Sequence, residues 1–180
     1  MTHSLDPKGP RASARVLGTL HAEGTSGVVR LQDRYDTGPV DLWDALTDPA
    51  RLARWLGEVH GDLRVGGEFE AHFLASGWEG TGRVEECDPP HRLRVSTRSP
   101  DQPDGILEVT LTPDGDGTVL VLEDRGVPLE QVAAYGAGDQ IHLEDLASYL
   151  AGGGRCEPRS RWQQLHGLYE RLPVTPADGA

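Results

Sequence analysis

Residues Val40–Leu56 read VDLWDALTDPARLARWL. Two short helices account for this pattern. Gly38-Pro39 opens the first, and Val40, Trp43 and Leu46 recur at helical spacing. Asp48 then stands as an N-cap with Pro49 at the first helical position, a strong start signal. Leu52, Trp55 and Leu56 form the apolar stripe of the second helix, and Gly57 can end it.

Strands surround this pair. Upstream, Arg15–Ala22 and Gly27–Tyr35 flank the turn-rich Glu23-Gly24-Thr25-Ser26 and predict a hairpin. In its second arm Val29, Leu31, Asp33 and Tyr35 share one face by the period-2 rule, which leaves Asp33 as the odd member of an apolar row. Downstream, Glu68–Phe73 alternates Phe69, Ala71 and Phe73 against Glu68, Glu70 and His72. Gly80–Cys87, Arg92–Thr97, Ile106–Leu111 and Thr118–Asp124 follow, punctuated by Asp88-Pro89-Pro90 and by the tight turn Asp114-Gly115-Asp116-Gly117. Such a series predicts an antiparallel meander.

Helix dominates the C-terminal part. Leu129–Leu150 places Tyr135, Asp139, His142, Leu143, Leu146 and Leu150 on one face, while Gly136 and Gly138 weaken its first turns. Gly152-Gly153-Gly154 stops it. A last helix over Ser160–Leu172 turns Trp162, Leu165, Leu168, Tyr169 and Leu172 inward. The order predicts an α+β protein with helices on one face of a curved antiparallel sheet of six to seven strands. Residues 1–14 read as a disordered tail, 15–172 as a single domain and 173–180 as a flexible tail.

The composition narrows the function classes. The chain has 180 residues, 17 Lys and Arg against 29 Asp and Glu, and a net charge of −12. A domain of this length buries roughly 70% of its unfolded-chain surface and can hold a core and a cavity together. The acid excess argues against nucleic acid and against an anionic membrane surface. No apolar run of spanning length predicts membrane insertion. Met1–Ala14 lacks the apolar stretch of a secretory signal. Cys87 and Cys156 are too few for a disulfide framework and read as free thiols of a cytoplasmic protein.

Val40–Leu56, the DLRVGGEFE of Asp62–Glu70, Gly82-Arg83-Val84 and Pro89-Pro90-His91-Arg92-Leu93 together resemble the SRPBCC superfamily. More narrowly, the sequence is similar to its branch of activator-of-heat-shock-protein-ninety-ATPase homologues. The W-x-x-L-T-D-P-x-x-L-x-x-W run carries most of the likeness, which spans Gly18 to Leu150. The resemblance implies a START-like helix-grip fold, in which a long C-terminal helix lies across a curved sheet with a cavity between them. It implies binding of lipids, polyketides or other small apolar molecules, enzymatic activity in some members, or activation of a chaperone ATPase. Fold membership alone does not choose among these. Relatives usually carry a large aromatic after the Gly-x-Gly of the long helix. Here the segment is Gly136-Ala137-Gly138-Asp139, so a carboxylate stands where a ring is expected.

Asp139 and His142 are three apart and share a helix face. They suit a polar cavity site, with His142 as acid–base or hydrogen-bond donor, Asp139 orienting it and Asp33 facing both from the sheet. A hydrated, satisfied core network and a frayed helix end with Asp139 as a solvent-facing cap are the competing readings. Glu68, Glu70 and His72 read as a solvated face, since no second His stands at metal-ligand spacing. Gly136-x-Gly138-x-x-Ile141 does not follow a strand in a βαβ unit, and Asp114-x-Asp116 does not continue as a calcium loop. Trp43, Trp55 and Trp162 read as core packing, whereas Trp78 sits in a loop that could line a pocket mouth. The expected function is binding of a small apolar molecule, without metal or cofactor, at a wall of Leu31, Asp33, Tyr35, Phe69, Phe73, Trp78, Leu93, Val95, Val109, Tyr135, Asp139, His142 and Leu146. A co-chaperone acting through its surface, a cavity enzyme using Asp139 and His142, and a homodimer stay open.

Overall fold

The computed structural model describes residues 15–100 and 102–177. The expected tail Met1–Ala14 therefore lies outside the described residues. The chain begins with the hairpin β1 (Gly18–Glu23) and β2 (Ser26–Tyr35). Helices α1 (Pro39–Thr47) and α2 (Pro49–Trp55) follow. Then come β3 (Gly57–Gly61), β4 (Glu68–Phe73), β5 (Glu79–Asp88), β6 (Arg92–Ser99), β7 (Gln102–Asp114) and β8 (Gly117–Pro128). A 3-10 turn, Leu129–Gln131, leads into α3 (Val132–Leu150), and α4 (Pro158–Tyr169) and β9 (Val174–Pro176) close the chain.

Among the described residues one sheet holds every strand, in the order β3-β4-β5-β6-β7-β8-β2-β1-β9. Nine strands among the described residues replace the expected six to seven, and the sheet is mixed rather than wholly antiparallel, because β9 runs parallel to β1. The residues from Pro173 on, expected as a flexible tail, thus begin with a paired strand. The architecture is that of a helix-grip fold.

The helix pair forms as its capping residues dictate. The Asp48 carboxylate accepts the Ala50 N–H at 3.0 Å, and Pro39 and Pro49 occupy first-turn positions. Leu42, Trp43, Ala45, Leu52 and Trp55 are buried, whereas Val40, placed on the stripe by its spacing, is exposed. The Trp55 indole N–H donates to the Ala45 carbonyl at 3.0 Å. That carbonyl belongs to the last turn of α1, where no helical N–H remains to meet it.

Register defines the face that meets the helices. Directly paired residues point to the same side, so Leu93, Val109, Leu122 and Leu31 form one row and Val84, Val95, Leu107, Asp124 and Val29 the next. Helix α3 lies over the β1–β2 end of this face. The Tyr35 hydroxyl donates to the Leu143 carbonyl at 3.1 Å, and the Leu17 N–H donates to Gln140 Oε1 at 2.9 Å.

Helix α4 runs back along α3. The Tyr169 hydroxyl donates to Gln140 Oε1 at 2.7 Å, and Arg161 grips Glu144 at 2.6 and 2.7 Å. The ring of Tyr169 covers Gly136, where a Cβ would come within 2.6 Å of it. Asp145 Oδ1 accepts the Cys156 N–H at 2.7 Å and pins the loop between the two helices.

Candidate functional site

Because α3 is seated on β1 and β2, it leaves the middle of the sheet uncovered. A cavity of about 980 Å³ lies there, between β4–β8 and the α3 face formed by Tyr135, Gly138, Asp139 and His142. Trp43 and Leu46 of α1, with Leu52, Trp55 and Leu56 of α2, close one side of it. Exposed Gln102, Pro103, Arg159 and Gln163 also line it, so it reaches solvent. Its volume falls in the range of small-molecule sites.

The structure places the expected wall residues in two groups. Phe69, Phe73, Trp78, Leu93, Val95, Val109, Tyr135, Asp139 and His142 line the cavity. Leu31, Tyr35 and Leu146 do not; all three are buried core residues. Asp33 does not line it either. It shares the helix-facing side of β2, but its carboxylate pairs with Arg15 at 3.4 Å. The seating of α3 on β2 excludes these four, since it replaces cavity with direct packing.

The expected catalytic trio of Asp139, His142 and Asp33 is not assembled. His142 Nε2 lies 3.0 Å from Ser76 Oγ, in the loop between β4 and β5, and His142 Nδ1 has no hydrogen-bond partner. No hydrogen bond therefore joins His142 to Asp139, whose buried Oδ2 is also without a partner. Burial lowers the His142 pKa to about 4, which keeps the ring neutral near pH 7.

Asp139 instead lines the same cavity as Asp124 of β8. Burial is the first cause that holds the Asp139 carboxyl well above the usual carboxylate range, and the like charge of Asp124 is the second. Burial also pushes Asp124 up to about 7. Tyr135, which lines the same cavity, is raised by burial first and then by both carboxylates. The chemistry on offer is a pair of carboxyls able to keep protons at neutral pH inside an apolar, aromatic wall.

Sequence reasoning missed Asp124, although parity reveals it: Leu120, Leu122 and Asp124 alternate onto one face. It also read Trp43, Trp55 and Trp162 as packing alone. These three and Trp78 all line the cavity, so every tryptophan of the chain does. Phe73 and Trp78 pack with tilted rings at 5.0 Å between centroids, and Phe73 meets the His142 ring edge-on at 5.5 Å.

Other candidates resolve into structure. Glu68, Glu70 and His72 are exposed, and Arg34 bridges Asp36, Asp114 and Asp116 around the β7–β8 turn. Among the described residues no group of three or more His, Cys, Asp and Glu side chains is arranged to hold a metal ion. Both cysteines are free, and burial followed by the Asp145 carboxylate pushes the Cys156 thiol up to about 12, which suppresses its thiolate. Among the described residues no helix is long and apolar enough to cross a membrane.

Residues 36–151 match the family described as Activator of Hsp90 ATPase homolog 1-like protein. No protein of curated function matches the sequence. Among solved structures, CalU16 from Micromonospora echinospora is 28% identical with a TM-score of 0.72, over 86% of this chain and 94% of that one. DynU16, described as a protein in the dynemicin biosynthetic locus, is 27% identical with a TM-score of 0.64, over 69% of this chain and 47% of that one. A protein from Bordetella parapertussis at 20% identity and a TM-score of 0.68 shares the fold.

Proposed function

The chain belongs to the family of Activator of Hsp90 ATPase homolog 1-like proteins, and on that premise we propose that it binds one small, largely apolar molecule between the sheet and α3. The observation that carries this reading is the cavity of about 980 Å³, with aromatic and aliphatic walls and a few convergent polar groups. The likeness to DynU16, a protein of a biosynthetic locus, points the same way. Phe69, Phe73, Trp78, Leu93, Val95 and Val109 would hold the apolar body, and Asp124, Tyr135, Asp139 and His142 its polar atoms.

The test uses the four cavity tryptophans as reporters. Apolar fluorescent probes titrated into the protein should quench their emission saturably. Gly138→Phe should block the effect, because the space beside Gly138 is open and the ring would fill it. The family name keeps a chaperone partner in view. If the protein stimulates a heat-shock ATPase and Gly138→Phe stimulates it equally while no probe binds, it acts through its surface and the cavity reading fails.

A further inference from the structure

We propose that the ligand of this cavity carries a protonated amine, held between the carboxyl groups of Asp124 and Asp139, with its apolar body along the aromatic wall. The inference rests on the cavity-binding reading above and names the ligand class for it.

Asp124 projects from the sheet, in the same face-row as Val95 and Leu107, while Asp139 projects from α3. Both line one cavity with Tyr135, whose pKa their charges raise after burial does. Oδ2 of Asp139 is buried and unpartnered. One helical turn on, the Nδ1 of His142, a residue only 8% exposed, is unpartnered as well. Space lies on the same helix face, where a Cβ on Gly138 would meet nothing within 4 Å.

Two carboxyls facing one apolar space either hold protons or repel each other. A cation between them removes both penalties. The cations already present do not fill that role: Arg125 is engaged by Glu123 at 2.9 Å and Glu23 at 3.3 Å, and Arg159 is exposed at the mouth. A hard divalent ion would want about six or more oxygen ligands, more than this apolar wall offers. An ammonium needs few acceptors and is also attracted to aromatic faces. An anionic ligand would meet both carboxyls head-on. The net charge of −12 draws cations toward the chain and repels anions.

Binding then carries a proton signature. From α3, His142 titrates near 4 and Tyr135 is pushed upward; from α4, Tyr169 is pushed upward; on β8, Arg125 stays charged. The carboxyls are therefore the groups around the amine whose charge responds to it, Asp124 pushed up to about 7 and Asp139 held well above the usual carboxylate range. An ammonium favours their ionised forms, so its binding expels protons to the buffer and tightens as pH rises through their titration.

Three matched probes make the test: anthracen-9-ylmethylamine, anthracen-9-ylmethanol and anthracene-9-carboxylate, each followed by quenching of the cavity tryptophans. The amine should bind about tenfold or more tighter than the alcohol at pH 7, and the carboxylate weakest. Asp139→Asn and Asp124→Asn should each cut the amine's preference over the alcohol to about threefold or less, with circular dichroism and thermal melts certifying that the variants are folded. Amine affinity should climb from pH 5 to 8 with proton release by calorimetry, and alcohol affinity should not. If amine and alcohol bind alike, or the preference survives both substitutions, the amine assignment is overturned while cavity binding stands. If none of the three quenches the tryptophans, the cavity reading itself fails and this inference with it.

Discussion

His142 Nε2 sits 3.0 Å from Ser76 Oγ and ties α3 to the loop between β4 and β5. The ring is buried, and burial lowers its pKa to about 4 against an ordinary value of 6.5. The unfolded chain therefore takes up a proton at this position between about 6.5 and 4 that the folded chain refuses. The resulting stability is fully present above 6.5 and is lost as pH falls through that window, to a total of about 3 kcal/mol. His142→Gln keeps a partner for Ser76 and cannot titrate. The difference in melting temperature between His142→Gln and wild type should shift in the variant's favour from pH 7 to pH 4. A constant difference across that range would show that His142 is not buried as described.

Two glycines of α3 should respond to alanine with opposite signs. At Gly136 an added Cβ would lie 2.6 Å from Tyr169 Cδ1, in the packed α3–α4 interface. Gly136→Ala should cost about 1–3 kcal/mol through overpacking. At Gly138 a Cβ meets nothing within 4 Å, so Gly138→Ala should gain up to about 1 kcal/mol of helix propensity. Denaturant melts of both variants decide the matter, and equal effects would sink the assignment of Gly138 to the open wall.

Trp55 closes both a hydrogen bond and the cavity. Its indole N–H is the partner of the Ala45 carbonyl in a fully buried position. Trp55→Phe retains most of the apolar ring but orphans that carbonyl, which should cost about 1–3 kcal/mol. Chemical denaturation measures it. A loss below about 0.5 kcal/mol would mean that α1's last turn finds another partner.

The helix pair was legible in sequence because its stop and start signals are local: Asp48 caps, Pro49 begins, and Trp43 and Trp55 keep helical spacing. The strands with clean alternation were legible for the same reason. Strand β3 was not, since Gly57–Gly61 offers one apolar residue between two glycines and forms only by pairing with β4. Strand β9 is three residues long, contains Pro176 and depends on the edge that β1 presents. In the site, face membership was legible for Phe69, Phe73, Leu93, Val95 and Val109. What parity could not supply was where α3 comes to rest. Leu31 and Asp33 occupy the same sheet face as Val109 and Leu122, yet α3 covers β2 and not the sheet centre, so one group is core and the other is wall. The Asp139–His142 pairing failed on a related point: a shared helix face does not place two side chains in contact, and the His142 ring reaches Ser76 instead.

Asp139 occupies the place where the resembling family is expected to carry a large ring, and the cavity beside it has room for one. Asp139→Trp should fold, because the indole enters space that no side chain occupies next to Gly138. It also removes the carboxyl on which the like charge of Asp124 acts. A carboxyl whose pKa is raised in the folded state binds its proton there while the unfolded chain has already released it, so its penalty on stability is absent below about 3.8 and grows as pH rises toward the folded value. The variant should therefore melt no lower than wild type at pH 7, with its relative advantage shrinking as pH is lowered to 4. Its indole would occupy part of the 980 Å³, so the anthracene probes should lose binding together, amine and alcohol alike. Thermal melts at the two pH values and the same quenching titrations provide the readout. Unfolding of Asp139→Trp would show that this wall position lacks the free volume described. Wild-type affinity for both probes in a folded variant would place the ligand elsewhere than beside α3.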